Sequence, residues 1–485
     1  MNADPAGSGE ELGDMPADVF RKHLHEVADW IADYRENIAS LAISPRGGPG
    51  AVRAALTTSA PETGETLEAM FDDIRKVIVP GVVHWAHPQF MGYFGATTTG
   101  PGILAEMMAA ALNINAMTWR TSPAATELET LVLEWLQQWL GLKGEYRGVV
   151  YDTASISSLH ALAAAREEAA GNVRALGLAG RAELPVFRVY TSDQAHSSIE
   201  KAAIALGLGE QNVRRIASDA EFRMDVPALR AAVAEDLRGG LRPMAVVATA
   251  GTTSTASVDP VAEIAAVCRE HRMWLHIDAA YGGGLALLPE CAWVKNGWNE
   301  ADSLVINPHK MLFVPFDFSA LYVRNIARLR DVFTLVPEYL RGDAAGAEIN
   351  YMDYGVQLGR RFRALKAWMV WRAFGRSGLA ARIREHLRLA RLFTGWIQED
   401  PRFELAAPTV MGVVCFRIKA ADDARADQVN SAAVETINAA GATYLMQTKL
   451  RGRTVMRLGL GNILTTEEHL RRVWEIIRDT VARVH

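Results

Sequence analysis

The sequence predicts an α/β fold: a mostly parallel seven-stranded sheet with helices on both faces, an N-terminal helical segment and a small C-terminal α+β unit. Between about residues 148 and 323, short apolar runs alternate with amphipathic segments of helix length, which is typical of parallel sheets buried on both sides. Before residue 96 only helical periodicity is found, and after Pro401 the pattern changes to short strands and two helices. We therefore expect three units, spanning residues 1–95, 96–385 and 386–485.

The N-terminal unit contains apolar residues at three- and four-residue steps, namely Phe20, Leu24, Val27, Ile31 and Tyr34. This spacing predicts a helix within residues 16–43 that buries one face. A connection rich in glycine and proline follows over residues 44–64 and precedes a second helix at 67–79.

The middle unit supplies the sheet. Its predicted strands are 148–151, 186–191, 213–216, 244–248, 274–277, 303–306 and 320–323, and its predicted helices are 155–170, 196–206, 226–237 and 261–272. Ligands of such sheets bind at the carboxyl ends of the strands. Polar clusters that directly follow a strand are therefore the candidates for a functional site.

The C-terminal unit follows a long helical stretch at residues 361–399. Strands at 413–418, 444–448 and 455–460 and helices at 425–439 and 466–484 predict a small α+β domain.

Composition excludes several classes of partner. The 51 basic and 56 acidic residues give a net charge of -5, so no overall field attracts nucleic acid or an anionic membrane. Cys268, Cys291 and Cys415 form no CxxC pair, which argues against a disulfide framework or a metal site. An acidic N-terminus and the lack of a long apolar run predict a cytoplasmic protein with a small-molecule partner.

Lys310 is the sharpest chemical signal. It ends the segment Asn307-Pro308-His309-Lys310, directly after an apolar strand, and Pro308 turns the chain at the edge of the sheet. A single lysine there is usually a solvated surface charge. The catalytic interpretation of Lys310 gains weight because several candidate partner residues also directly follow predicted strands.

Asp278 is the first of these partners, since it follows another apolar strand. A buried acid needs a cation or several hydrogen-bond donors. A neighbouring Arg or Lys would be the structural explanation, and the protonated pyridine nitrogen of pyridoxal 5'-phosphate (PLP) is the functional one. The small residues Ala279 and Ala280 leave room beside a flat ring.

Further candidates follow three other strands. Thr153, Ala154 and Ser155 begin a helix, where hydroxyl residues usually cap the helix but where a phosphate can also bind. His196 can stack on a cofactor ring or serve as a cap, and Thr249 lies in a hydroxyl-rich strand end with the same ambiguity. Each structural explanation is credible alone, whereas their joint occurrence favours a cofactor site.

These segments resemble the group II PLP-dependent decarboxylases, and within them the aromatic-L-amino-acid decarboxylase branch. The resemblance runs from about Phe20 to the C-terminus. The motifs that carry it are HPQFMGYF from His87, SPAATELE from Ser122, SDQAHSS from Ser192, HIDAAY from His276, NPHK from Asn307 and LGRRFRALK from Leu358.

The resemblance implies fold type I of the PLP enzymes, with a large PLP-binding domain, and a homodimer. It assigns the Schiff base to Lys310, the ring-nitrogen contact to Asp278, stacking to His196 and support of the other ring face to Ala280. It assigns the remaining cofactor contacts as follows: phosphate to Thr153, Ala154, Ser155 and Asn307, the site wall to His309, and the side of the ring hydroxyl to Thr249.

Tyr339 matches a loop tyrosine that returns a proton to the carbon from which CO2 has left. Relatives with Phe there, or with Asn in place of His196, form aldehydes instead, so both residues favour simple decarboxylation. The aldehyde-forming reaction, another PLP-dependent lyase or transaminase activity and a non-enzymatic PLP-binding scaffold stay as alternatives.

The resemblance places six residues in the substrate pocket: Trp85, Tyr93, Phe94, Asn115, Met117 and Leu358. They offer a wall suited to Phe, Tyr, Trp or a hydroxylated relative, although a non-aromatic amino acid stays possible. Animal relatives read Tyr-Phe-Pro-Thr where this chain has Tyr93-Phe-Gly-Ala96, which puts a carboxylate contact by that threonine in doubt. Asn115 and Met117 stand where apolar or aromatic residues are usual in the family. Ile156 stands where the family has an acid in its phosphate-loop segment.

Overall fold

The computed structural model describes residues 14–45, 47–57, 59–95, 97–335 and 348–484. Its N-terminal helices are α1 (Ala17–Asn37), α2 (Ala51–Ala55) and α3 (Leu67–Asp73). The first helix ends earlier than predicted, since a 3-10 turn at Ile38–Ser40 replaces its last turns. The predicted second helix continues beyond α3 as a π-helical turn, Ile74–Ile78.

Two further helices, α4 (Gly100–Leu112) and α5 (Pro123–Leu140), precede the sheet. Neither helix was predicted from the sequence. Helix α4 is apolar at most positions, so that no helical periodicity stands out against a polar face.

A seven-stranded sheet forms the centre of the molecule, in the order β1-β7-β6-β5-β4-β2-β3. The strands are β1 (Arg147–Tyr151), β2 (Phe187–Ser192), β3 (Val213–Ile216), β4 (Arg242–Thr249), β5 (Trp274–Asp278), β6 (Ser303–Ile306) and β7 (Ser319–Val323). Strand β7 is antiparallel to both of its neighbours, and the other pairings are parallel. The predicted mostly parallel sheet is therefore confirmed.

Helices cover this sheet. They are α6 (Ala154–Ala170), α7 (Val173–Leu176), α8 (Ser198–Ala205), α9 (Val226–Arg238), α10 (Val261–His271) and α11 (Ile326–Phe333). Strands β5, β6 and β7 are buried along their whole length, which explains why they read as continuous apolar runs.

The C-terminal part follows the long helix α12 (Ala364–Glu399), which is interrupted at Gly375, where φ is +62°. A second, antiparallel sheet has the order β10-β11-β9-β8. Its elements are β8 (Phe403–Leu405), β9 (Val413–Ile418), α13 (Asp423–Ala440), β10 (Met446–Leu450), β11 (Arg453–Gly459) and α14 (Glu467–Val484). The three-residue strand β8 was not predicted. The division at residue 385 stays a prediction and falls within α12.

In the part of the chain that the structure describes, no helix combines the length and the apolar character needed to cross a membrane.

Candidate active site

One edge of the large sheet collects the polar residues that follow its strands. Because β2, β4, β5 and β6 are parallel, their carboxyl ends meet at this edge. Thr249 and Asp278 are direct neighbours in the register of β4 and β5. Lys310 follows β6 after one turn, in which its backbone N–H donates to the carbonyl of Asn307 at 2.9 Å.

The Lys310 amine lies 4.9 Å from the centroid of the Phe94 ring. Burial lowers the pKa of this lysine, Asp278 opposes the shift, and Arg457 adds to it. A lowered pKa leaves more of the amine neutral, which is the form that attacks a carbonyl carbon. The environment of Lys310 therefore suits a nucleophilic lysine better than a solvated surface charge.

Asp278 is buried, and its Oδ1 accepts the backbone N–H of Ala280 at 3.0 Å. Within the described residues it forms no ion pair, so the Arg or Lys that a structural role would require is not found. Its negative charge raises the pKa values of Lys310 and His196 against the effect of burial. A buried carboxylate with one hydrogen bond can accept a cationic ring nitrogen.

His196 is held by Ser198 at the start of α8. Its Nδ1 accepts the backbone N–H of Ser198 at 3.2 Å and lies 2.9 Å from the Ser198 hydroxyl. Burial lowers the His196 pKa, which favours the neutral ring. Since Nδ1 is an acceptor, the proton of the neutral ring is on Nε2. His196 can therefore stack as a flat ring and donate from Nε2.

Asn307 and His309 form a buried pair. His309 Nδ1 accepts the backbone N–H of Phe318 at 2.9 Å, and its Nε2 lies 3.1 Å from the Asn307 side-chain amide. Burial lowers the His309 pKa to about 3, so the ring is neutral and Nε2 must donate. In the structure Asn307 Nδ2 faces Nε2, and Asn307 Oδ1 is buried without a partner among the described residues. Because two donors cannot pair, we exchange the amide oxygen and nitrogen, so that the oxygen accepts from Nε2 and the NH2 group is the unpaired one. That group is a free donor for an anion.

The N-terminus of α6 lies at the same edge, because β1 leads directly into it. Thr153 is the N-cap residue but makes no side-chain cap, and Ser155 is exposed in the first turn. The N–H groups of this turn, including that of Ala154, are free to bind a phosphate. The Thr153 backbone N–H and hydroxyl instead donate to Asp152, at 2.5 and 3.0 Å. This competing carboxylate was not predicted from the sequence.

Thr249 is fixed through its backbone, whose N–H donates to Asp259 at 2.8 Å. Its own hydroxyl is buried and finds no partner in the described part of the chain. The described part of the site thus holds an unpaired hydroxyl, an unpaired amide group, a carboxylate without an ion pair and a lysine with a lowered pKa. This set of groups fits the ring hydroxyl, phosphate, ring nitrogen and aldehyde of PLP.

The six predicted pocket residues form two separate clusters. Phe94 lies beside Lys310, and the rings of Trp85 and of Tyr93, which directly precedes Phe94 in the chain, stack at 5.0 Å. Asn115 and Met117 lie on the loop after α4, next to Leu358 on the segment before α12, because Arg360 pairs with Asn115 and Ala116. Between the described residues, no hydrogen bond or ring contact joins the clusters. Tyr339 and Ala96 lie outside the described residues.

Arg457 of β11 is a site residue that sequence reasoning missed. Its guanidinium is buried 4.7 Å from the Phe94 ring centroid and donates to the carbonyls of Tyr93 at 2.6 Å and Ser254 at 3.1 Å. No carboxylate among the described residues pairs with it. The available signal was a single arginine in the apolar run VMRLGL.

Comparison with known proteins agrees with this geometry. Residues 49–419 match the model of the pyridoxal-dependent decarboxylase conserved domain. Over 97% of both chains the protein is 39% identical to the aromatic-L-amino-acid decarboxylase of Bos taurus, and it is 36% identical to the phenylacetaldehyde synthase of Arabidopsis thaliana over 98% of both.

A similar solved structure is that of Oryza sativa TDC with PLP and tryptamine, at a TM-score of 0.93 and 36% identity, with 97% of this chain and 99% of that chain covered. The predicted fold type and cofactor are confirmed. The chain belongs to the pyridoxal-dependent decarboxylase family.

Proposed function

We propose that this protein decarboxylates an aromatic L-amino acid to its amine and CO2, with PLP carried on Lys310. The observation that carries the proposal is the buried Asp278 carboxylate, which forms no ion pair with any described residue, at the same sheet edge as a lysine with a lowered pKa. The names of the similar proteins support the substrate class.

When bound, PLP supplies an electron sink for the bond that breaks between Cα and the carboxylate. The role of Asp278 is to keep the ring nitrogen protonated by its opposite charge. The anchors for the phosphate are the first turn of α6, with Ala154 and Ser155, and the Asn307 amide, which His309 orients. The Lys310 amine is the group to which PLP would be attached. It would also accept or release a proton when substrate enters and when product leaves.

His196 and Ala280 are proposed to hold the two faces of the ring. The Nε2–H of His196 can donate to the substrate or move a proton near Cα. The Thr249 hydroxyl can hydrogen-bond the ring hydroxyl, because it is buried and unpaired. By its resemblance, Tyr339 returns the proton to Cα. Trp85, Tyr93 and Phe94 supply an aromatic wall on the Lys310 side.

We also propose a homodimer in which the second pocket cluster serves the partner's site. On α4, Leu104, Met108 and Leu112 are each more than half exposed at four-residue steps, on one face of the helix. Leu358 is 58% exposed. An apolar patch of this kind indicates a protein contact, and a two-fold contact would bring Asn115, Met117 and Leu358 to the other subunit's Lys310. Light scattering of the PLP-loaded protein tests whether its mass in solution is that of two chains. The cytoplasmic location stays a prediction.

Aldehyde formation is the second candidate function, since the relative from Arabidopsis thaliana carries the name phenylacetaldehyde synthase. The presence of His196 and Tyr339 favours the amine. Measuring amine, aldehyde, ammonia and peroxide from the same reaction separates the two functions.

The deciding experiment compares Lys310→Ala with Lys449→Ala, which changes an exposed lysine on β10. With PLP supplied, the wild type and Lys449→Ala should be yellow, should fix PLP covalently on borohydride reduction and should release CO2 from aromatic amino acids. Lys310→Ala should do none of these. A borohydride-fixed cofactor in Lys310→Ala would contradict the assignment.

A further inference from the structure

Asn115 presents an oriented hydrogen-bond donor. Its Oδ1 accepts the backbone N–H of Arg360 at 2.8 Å, while the N–H of Ala116 donates to the Arg360 carbonyl at 2.9 Å. Because the amide oxygen is engaged by a backbone donor, the NH2 group must point the other way. The orientation of the amide is therefore set by the backbone of the opposing loop.

This platform is rigid. The Arg360 guanidinium is buried and donates to Glu129 at 2.6 Å, to the Val150 carbonyl at 2.8 Å and to the Ala116 carbonyl at 3.1 Å. The ion pair thus ties the Asn115 loop to α5 and β1. A donor fixed in this way loses little conformational freedom when it binds a ligand.

The Asn115 NH2 group has spare capacity. Its only partner within the described residues is the Met117 thioether at 3.5 Å, and sulfur of this type is a weak acceptor. The Asn115 side chain is exposed, and its neighbours Met117 and Leu358 are apolar. A single donor in an apolar wall is the arrangement that gives a small-molecule pocket its specificity.

Thr97 and Thr99, two of the three threonines that follow Phe94, do not offer a substitute. The Thr97 hydroxyl donates to the Gly461 carbonyl at 3.2 Å and accepts the Ile463 N–H at 3.1 Å, and the Thr99 hydroxyl donates to the Phe313 carbonyl at 3.3 Å. Both side chains are buried. Their hydroxyls stabilise the fold and are not available to a substrate.

We infer that Asn115 makes this enzyme selective for ring-hydroxylated aromatic amino acids, by donating from Nδ2 to the phenolic oxygen of a substrate bound in the partner's site. A phenolic oxygen accepts such a bond. The indole N–H of tryptophan is a donor only, and the phenylalanine ring has no polar group, so neither can pair with the amide NH2. The inference rests on the proposed decarboxylase function and on the proposed homodimer, and it names the substrate class within that function.

The test is the ratio of kcat/KM for tyrosine to that for phenylalanine, measured as CO2 release by the PLP-loaded protein. The wild type should favour tyrosine. In Asn115→Leu that ratio should fall by about 10-fold or more, because a site built to pair with a hydroxyl discriminates strongly and an apolar one does not. Loss of folded protein affects both substrates equally, so the ratio remains interpretable.

Two further variants sharpen the result. Asn296→Leu makes the same chemical change at an exposed position outside the site and should leave the ratio unchanged. Asn115→Asp keeps the acceptor for the Arg360 N–H but replaces the donor by an acceptor, so tryptophan turnover should rise relative to phenylalanine.

A tyrosine-to-phenylalanine ratio that is the same in Asn115→Leu and wild type would overturn the selectivity while leaving the decarboxylase function intact. If the wild-type protein releases CO2 from no aromatic amino acid, the proposed function itself fails, and the selectivity fails with it.

Discussion

Replacing Glu129 by glutamine should destabilise the protein far more than the same replacement at an exposed ion pair. Glu129 Oε1 accepts from Arg360 at 2.6 Å and from the Val150 N–H at 3.0 Å. The two charged side chains are only 5% and 3% exposed. Glutamine keeps the size and one acceptor oxygen but removes the negative charge, so a buried guanidinium is left without a counter-charge.

The expected loss is about 3–5 kcal/mol, as for other buried pairs that lose one partner. At an unfolding entropy of about 2 cal/mol/K per residue, a chain of 485 residues has roughly 1 kcal/mol/K in total. The melting temperature should then fall by about 3–5 °C if the chain unfolds as one unit. The fall should be larger, about 5–8 °C, if the unit around the large sheet unfolds alone.

Thermal unfolding followed by circular dichroism measures this change. The control is Glu270→Gln, which breaks the exposed pair with Arg230 at 2.7 Å and should cause no resolvable shift. The double variant Glu129→Gln/Arg360→Gln should recover part of the loss, because it removes the uncompensated charge. Equal melting temperatures for Glu129→Gln and Glu270→Gln would refute the reasoning.

Two other predictions concern the sheet edge. Asp152→Asn should tighten PLP binding by about tenfold, since the carboxylate that now accepts from Thr153 repels a phosphate at the start of α6. Titration of the apoprotein with PLP measures the affinity, and weaker binding in the variant would contradict the prediction. Burial lowers the His276 pKa to about 4, so the unfolded chain takes up a proton that the folded one excludes as the pH falls from about 6.5. The wild type should therefore lose stability between pH 7 and 5, and His276→Gln should lose less, by up to about 1.4 kcal/mol per pH unit. Equal melting-temperature changes in both proteins would exclude this origin.

Most strands of the large sheet were predictable because their residues are buried on both faces, although the edge strand β3 is only partly buried. Predicted and observed bounds differ by two residues or fewer, and β3 and β6 agree at both ends. Local chemistry also marked where each strand ends, with Pro308 after β6 and Asp278 as the last residue of β5. Parallel strands then bring these ends together without further information.

Contacts between distant segments could not be predicted in this way. The Arg457 guanidinium meets the Tyr93 carbonyl across 364 positions of sequence, and Thr97 meets Gly461 across the same separation. Neither residue carries a local signal that names its partner. The separation of the pocket residues into two clusters could not be predicted from the sequence either. The motif that contains Leu358 does not indicate which loop packs against it.

The sheet edge gives up folding stability that a bound cofactor can restore. The Thr249 hydroxyl, the Asn307 amide and one Arg457 nitrogen are buried without partners among the described residues, and such groups typically cost about 1–3 kcal/mol each. Asp278 adds a buried carboxylate that forms no ion pair with the described residues. A core built only for stability would fill these positions with apolar side chains or pair them within the chain. Because these groups lie around the Lys310 site, a polar ligand bound there can pair with them, and its binding would return part of the lost stability.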